Sequence, residues 1–220
     1  GAEFLVKEIE ELSSLERVIG LAEVMDFLAV INGEDRMMDI IDFMDKKGLY
    51  LQGHAPYVSG RMLSAYLCGG PNTCHETRDS DEALEKIRNG MFVDARDSSI
   101  TKNVKEVYEG VKGIKFFDHL CFCTDDREAD DILHVGHLND VVRAAISYGM
   151  DPVTAIKSAT YNTAREIHIE NLGAIAPGYV ADMLLVDSLE ELKPAKVFFG
   201  GKLVAENGQL VAEIEDRSYP

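Results

Sequence analysis

The chain has 220 residues, 46% hydrophobic and 28% charged. This is a folded globular composition with enough apolar mass for one sizeable core plus a small appendage, and it excludes a disordered chain. A formal net charge of −17 repels phosphate backbones and anionic headgroups. It argues against nucleic-acid and membrane partners and suits a neutral or cationic small molecule.

In chain order, residues 3–17 read as an amphipathic helix, with Phe4, Leu5, Ile9, Leu12 and Leu15 at helical spacing. Val18 to Met25 is apolar except for Glu23, as in a strand buried on both faces of a parallel sheet. A helix from about Asp35 to Lys47 closes on Gly48. Leu49 to His54 is a short strand, Gly60 to Cys68 a helix, and Thr73 to Glu76 the end of another short strand. Asp79 to Asn89 is a helix with Ser80 or Asp79 as N-cap and Gly90 as its stop. A strand at Met91–Arg96, a helix at Ser98–Tyr108 and a strand at His119–Asp126 follow, then two helices near 137–149 and 151–164.

Strand and helix thus alternate through short loops, the pattern of a parallel α/β fold. A closed eightfold barrel needs roughly 250 residues. The first part is therefore expected to be a partial (β/α) TIM-like barrel over residues 1–168. After Gly173 the pattern changes to β-formers and turn residues, with Gly200-Gly201 between two apolar runs as a tight hairpin. That segment, 169–213, is expected to be a small antiparallel element, a portion of a β-sandwich, with a tail at 214–220. The four cysteines include no CxxC pair of the kind a zinc ribbon uses, and read as free thiols. No stretch approaches the ~18 apolar residues of a spanning helix and no signal peptide opens the chain, which reads as cytoplasmic.

The chemistry gathers at strand ends. Glu23, His54, His75 and Asp125 each close a separate strand–helix unit. In a parallel barrel those ends meet at one face. Carboxylate and imidazole together suit zinc, manganese or iron, and such an ion lowers the pKa of a bound water into the neutral range. His134 and His137 read as a partly exposed pair at a helix start, and His119 as structural. The acids from Asp125 to Asp131 lack the Gly and closing Glu of a calcium loop.

These segments resemble the adenine deaminases, metal-dependent amidohydrolases. The similar stretches are VIGLAEVM (Val18–Met25), GHAP (Gly53–Pro56), TCHE (Thr73–Glu76), CTDD (Cys123–Asp126), EALEKIRNGM (Glu82–Met91) and GAIAPGYVAD (Gly173–Asp182), across about Gly1 to Gly208. The resemblance implies two divalent metal ions bridged by Glu23, one held by His54 and His75 and the other by Asp125. It implies that Asp125 moves protons while adenine is converted to hypoxanthine and ammonia. Arg96, His137 and Glu76 are the substrate-side candidates.

The match departs from the family in places. Its first strand carries a His-x-His pair, and none of the six histidines here forms one. The chain is therefore expected to be a fragment, weak or inactive alone, and a homo-oligomer through its open sheet edges. Cys74 stands where the family usually has Asp, Asp97-Ser98 where it has Glu-Gly, and Asp26-Phe27-Leu28-Ala29 where it more often has Asn-Phe-Pro-Gly. The alternatives are another amidohydrolase reaction, cyclic amide hydrolysis or deacetylation, and a non-catalytic half-barrel assembly module.

Overall fold

The computed structural model describes residues 4–213, so the expected tail at 214–220 lies outside the described residues. Its elements begin with α1 (Val6–Leu12), β1 (Gly20–Val24), α2 (Phe27–Asn32), α3 (Asp35–Lys46), β2 (Tyr50–Gly53), α4 (Gly60–Cys68) and β3 (Thr73–Cys74). They continue with α5 (Ser80–Arg88), β4 (Phe92–Arg96), α6 (Val104–Val111), β5 (Leu120–Cys123), α7 (Ala129–His134), α8 (Leu138–Ser147), α9 (Pro152–Ser158) and α10 (Tyr161–Glu166). The chain closes with β6 (Met183–Val186), β7 (Pro194–Phe199), β8 (Lys202–Glu206) and β9 (Gln209–Leu210).

Local chemistry explains most boundaries. After α3, Gly48 takes φ +68° and its N–H donates to the Asp45 carbonyl, while Leu49 N–H reaches the Met44 carbonyl. Together these form a Schellman closure, which a residue with a Cβ would strain. Asp79 accepts from Glu82 N at 2.9 Å to start α5. Asp151 accepts from Thr154 N at 2.9 Å to start α9, with Pro152 in the first turn.

The expected helix at 98–108 starts only at Val104. Ser98 Oγ accepts from Ile100 N and Thr101 N, and Asn103 Oδ1 accepts from Arg96 N, so side chains satisfy the backbone in a loop instead of a helix. The expected helix at 151–164 is two helices, α9 and α10, and the one at 3–17 is shortened to α1. Helix α2 falls outside the expected pattern; Asp26 caps it by accepting from Ala29 N at 3.2 Å, and Gly33 at φ +67° ends it.

Strands β1 and β2 pair in parallel, as do β3, β4 and β5 in that order. The two groups approach closely at Gly53, whose N–H donates to Thr73 Oγ1 at 2.7 Å. A Cβ at Gly53 would lie 2.2 Å from the Thr73 carbonyl oxygen, so only glycine permits that approach. One apolar cluster joins Val24, Ile41, Met44, Leu51, Leu63 and Tyr66. A second joins Val93, Ala95 and Leu120 to Val107 of α6 and Val141 and Val142 of α8. On β4, Val93 and Ala95 face that core, leaving Asp94 and Arg96 for the other face of the strand.

The last four strands form one antiparallel sheet in the order β6-β7-β8-β9. Gly200 and Gly201, at φ +55° and +78°, make the expected tight turn between β7 and β8. No helix of the described residues is long and apolar enough to cross a membrane.

Candidate metal centre

Parallel strands present their C-terminal ends on one side, and the site is built there. Glu23 lies in β1 just before its end, His54 follows β2 and His75 follows β3. Glu23 Oε2 lies 3.0 Å from His75 Nε2 and 3.4 Å from His54 Nδ1. The two imidazole centroids are 5.3 Å apart. One ligand atom from each of the three falls within 4.8 Å of the others.

Two of the converging atoms, Glu23 Oε2 and His54 Nδ1, are buried with no hydrogen-bond partner, and so is His75 Nδ1, the nitrogen of that ring not turned to Glu23. Donors at ~2.0–2.2 Å from a tetrahedral ion sit roughly 3.4 Å apart, so the trio fits one divalent cation. Burial pushes the His75 imidazole below its ordinary value, opposed by the Glu23 carboxylate and assisted by the His54 ring. A depressed imidazole is neutral at pH 7, the form that ligates a metal.

Asp125 stands outside that trio. At the end of β5, with φ +51°, its carboxylate is paired with the Arg96 guanidinium. Arg96 also pairs with Glu76, whose second oxygen is held by Arg78 at 2.7 Å. The structure thus brings Glu76, Arg96 and Asp125 together as one charge chain spanning the ends of β3, β4 and β5. His137 is exposed at the N-cap of α8, where its N–H donates to Asn139 Oδ1 at 2.9 Å, and it is in neither group. His134 is exposed beside Asp130, and His119 stacks on Phe92 with centroids 4.3 Å apart, a structural role. All four cysteines are free.

Two buried sets escaped the sequence reading. The first is Lys86 with Glu82, paired at 2.5 Å beneath the histidine loops. Their i,i+4 spacing reads like an ordinary surface pair, and nothing local signals burial. The second lies on the inner side of β4 and β5, where Asp94, Cys121 and Glu166 are all buried within 4.8 Å of one another. Tyr50 OH donates to Glu166 Oε1 at 2.5 Å. Burial, then the neighbouring Glu166 charge, pushes the Asp94 carboxyl well up; burial, then Asp94 and Glu166, pushes the Cys121 thiol up. Four chain segments meet in that set, so no sequence spacing could announce it.

Known proteins share this arrangement of sequence and fold. The model of the amidohydrolase family matches residues 3–204. An adenine deaminase of Kosmotoga olearia is 41% identical over 204 residues, which is 93% of this chain and 35% of that protein. One of Petrotoga mobilis is 40% identical over 219 residues, covering 100% of this chain and 38% of that one. The chain therefore spans little more than a third of the length of these relatives. Among solved structures, the β-aspartyl dipeptidase of Fervidobacterium islandicum AW-1 superposes with a TM-score of 0.70 at 16% identity, over 95% of this chain and 62% of that one. The N-acetylglucosamine-6-phosphate deacetylase of Pasteurella multocida gives 0.57 at 12%, over 91% and 72%. At such identities the superpositions speak for the fold alone, and they agree with the sequence match that spans nearly every described residue: the chain belongs to the amidohydrolase family.

Proposed function

We propose that this chain carries the later-strand share of an adenine deaminase site, which converts adenine to hypoxanthine and ammonia. The observation that carries this reading is the convergence of Glu23, His54 and His75, with Glu23 Oε2 and His54 Nδ1 lacking hydrogen-bond partners, in a chain about 40% identical to adenine deaminases. In it, the parallel strands are the later part of a (β/α) barrel over 1–168, and the antiparallel sheet is part of a β-sandwich over 169–213.

Glu23, His54 and His75 would hold a divalent transition metal, which would supply Lewis acidity and acidify water near neutral pH. Manganese, iron or zinc suits the mixed carboxylate–imidazole donors. Were two ions bound, Glu23, His54 and His75 would hold one and Asp125 would contribute to the other, with Glu23 serving both. Asp125 takes the proton of the attacking water and returns it to the leaving amine, first as base and then as acid. Arg96 fixes the Asp125 carboxylate, and Glu76, held by Arg78 and Arg96, offers acceptors to the N–H edge of a purine. His137, exposed at the start of α8, stands outside both groups and has no contact that carries a substrate role. The acidic surface favours a small neutral substrate over nucleic acid or membrane, the setting is cytoplasmic, and open sheet edges favour self-association.

The test is ammonia release from adenine, with metal content measured in parallel. It compares this chain with a polypeptide extended to the length of the curated relatives and carrying a His-x-His strand. Turnover confined to the longer polypeptide is the expected result. Release of acetate from N-acetyl sugars, or hydrolysis of a cyclic amide, with adenine untouched would overturn the substrate assignment.

A further inference from the structure

The Lys86 ammonium is fully buried, yet it touches none of the groups that converge on the metal centre. Its Nζ donates to the Ala55 carbonyl at 2.7 Å and to Glu82 Oε1 at 2.5 Å, and lies 3.2 Å from Cys74 Sγ and 3.4 Å from Thr77 Oγ1. Ala55 is the neighbour of His54; Cys74 is the neighbour of His75, and Thr77 lies two residues beyond it. One cation therefore grips the loop after β2 and the loop after β3 at the residues flanking both imidazoles.

Glu82 repeats the pattern with its own oxygens. Oε1 accepts from Tyr57 N at 2.8 Å, in the loop after β2, and Oε2 accepts from Arg78 N at 2.9 Å, in the loop after β3. The pair is itself anchored, because Glu82 N is capped by Asp79 at the start of α5.

A buried ion pair contributes little to stability that well-packed apolar residues of the same volume would not. What apolar residues lack is directional bonding to two separate loops. Ligating imidazoles are usually oriented through the ring nitrogen that faces away from the metal. His75 has no such bond, since its Nδ1 is buried and unpartnered. Its orientation has to come from the backbone that carries it.

We infer that the Lys86–Glu82 pair is a positioning device that sets the separation and aim of His54 and His75. This rests on the metal-centre reading above. Lys86 acts through the two loops and does not meet the metal.

Zinc binding by this chain, read by competition with a chromogenic chelator, tests it, with His75→Ala as the non-binding control. Lys86→Met leaves Glu82 charged and alone, so the double variant K86M/E82Q removes both charges, and Thr77→Val removes a single acceptor without exposing any charge. The expected result is that K86M/E82Q regains a melting midpoint near that of the parent while its zinc Kd stays raised about tenfold or more, with a smaller rise for Thr77→Val. A purely structural pair would let affinity recover together with stability, and unchanged zinc binding in both variants would overturn the inference. If the parent chain takes up no zinc, the metal-centre reading fails by itself. The positioning role is then judged from the His54 and His75 ring resonances of the metal-free chain: displaced in the double variant they support it, and unmoved they refute it.

Discussion

Strands β4 and β6 are both short and β-forming, yet they end in opposite environments. Val93 to Arg96 of β4 are all buried, while Leu184 and Leu185 of β6 are 49% and 54% exposed. β4 is paired on both edges and has α5, α6 and α8 against one face. β6 belongs to a single antiparallel layer in which no strand residue is buried, and Leu192, in the β6–β7 connection, is the buried apolar anchor. An apolar side chain stabilises by the surface it removes from water. The same kind of residue therefore holds the parallel unit together and only decorates the sheet, whose apolar face is suited to a cover that the described residues do not supply. A comparable groove of about 570 Å³ lies between α1, β1 and α3, lined by Phe4, Ile9, Leu12, Leu21, Met37 and Ile40.

The contrast is broken or sharpened most directly by truncation. Leu120→Ala or Leu63→Ala, each at a fully buried position, should lower unfolding free energy by roughly 2–5 kcal/mol. Leu185→Ala should cost less than about 1 kcal/mol, since half its surface is already in water. Chemical denaturation of all three decides it. Equal losses would mean the sheet is covered in solution, and light scattering would then show the self-association that covers it.

A second comparison sets strand-end histidines against helix-end ones. His75→Ala should weaken zinc or manganese binding by well over tenfold, and His137→Ala should leave it unchanged. Calorimetric titration gives both constants. A matching loss at His137 would bring α8 into the metal site.

The inner set on β4 and β5 makes a pH prediction. Asp94 has its carboxyl pushed above the ordinary value of 3.8 by burial and by Glu166. A raised folded value means the contribution is fully present below that ordinary value and is lost as pH rises through the folded one. Asp94→Asn should therefore flatten the decline in stability above pH 4. Denaturant midpoints from pH 4 to 9 measure it, and parallel curves for parent and variant would contradict it.

The smallest effect is at the surface. The Lys157 ammonium, 2.6 Å from Asp118, holds that carboxyl below its ordinary value. A depressed value means stability present above the ordinary 3.8 and lost as pH falls through the folded value. Because the pair is exposed, Asp118→Asn should cost less than about 1 kcal/mol at pH 7, and less still as pH falls through the folded value. Salt titration should erase the difference at pH 7.

How much of this was legible beforehand follows from the range of each interaction. Gly48, Asp79, Pro152 and the Gly200–Gly201 pair act on backbone a few residues away, so their turns and caps were readable as spacing. The apolar run around Glu23 was readable as a strand, and His54 and His75 as strand-end imidazoles, but β1 is not buried on both faces as expected: only Val24 is buried and the Glu23 side chain stays 29% exposed, because β1 pairs with β2 alone among the described strands. The loop at 98–103 was not, because it depends on Ser98 and Asn103 winning bonds that a helix would otherwise make. Asp125 was legible at its strand end, but not its partner: Arg96 sits on a neighbouring strand.

The order of strands and helices, the antiparallel hairpin and the residue types of a metal centre were set by the sequence itself, since propensity, capping and apolar period are local properties of a chain. Which side chains meet was decided only in three dimensions. Lys86 and Glu82, spaced like any surface pair, are driven under two loops. Tyr50, Asp94, Cys121 and Glu166 come from four segments into one buried cluster, in which Tyr50 donates to Glu166. Burial of a polar group is tolerated only where distant partners satisfy it, and distance along the chain carries no record of who those partners are.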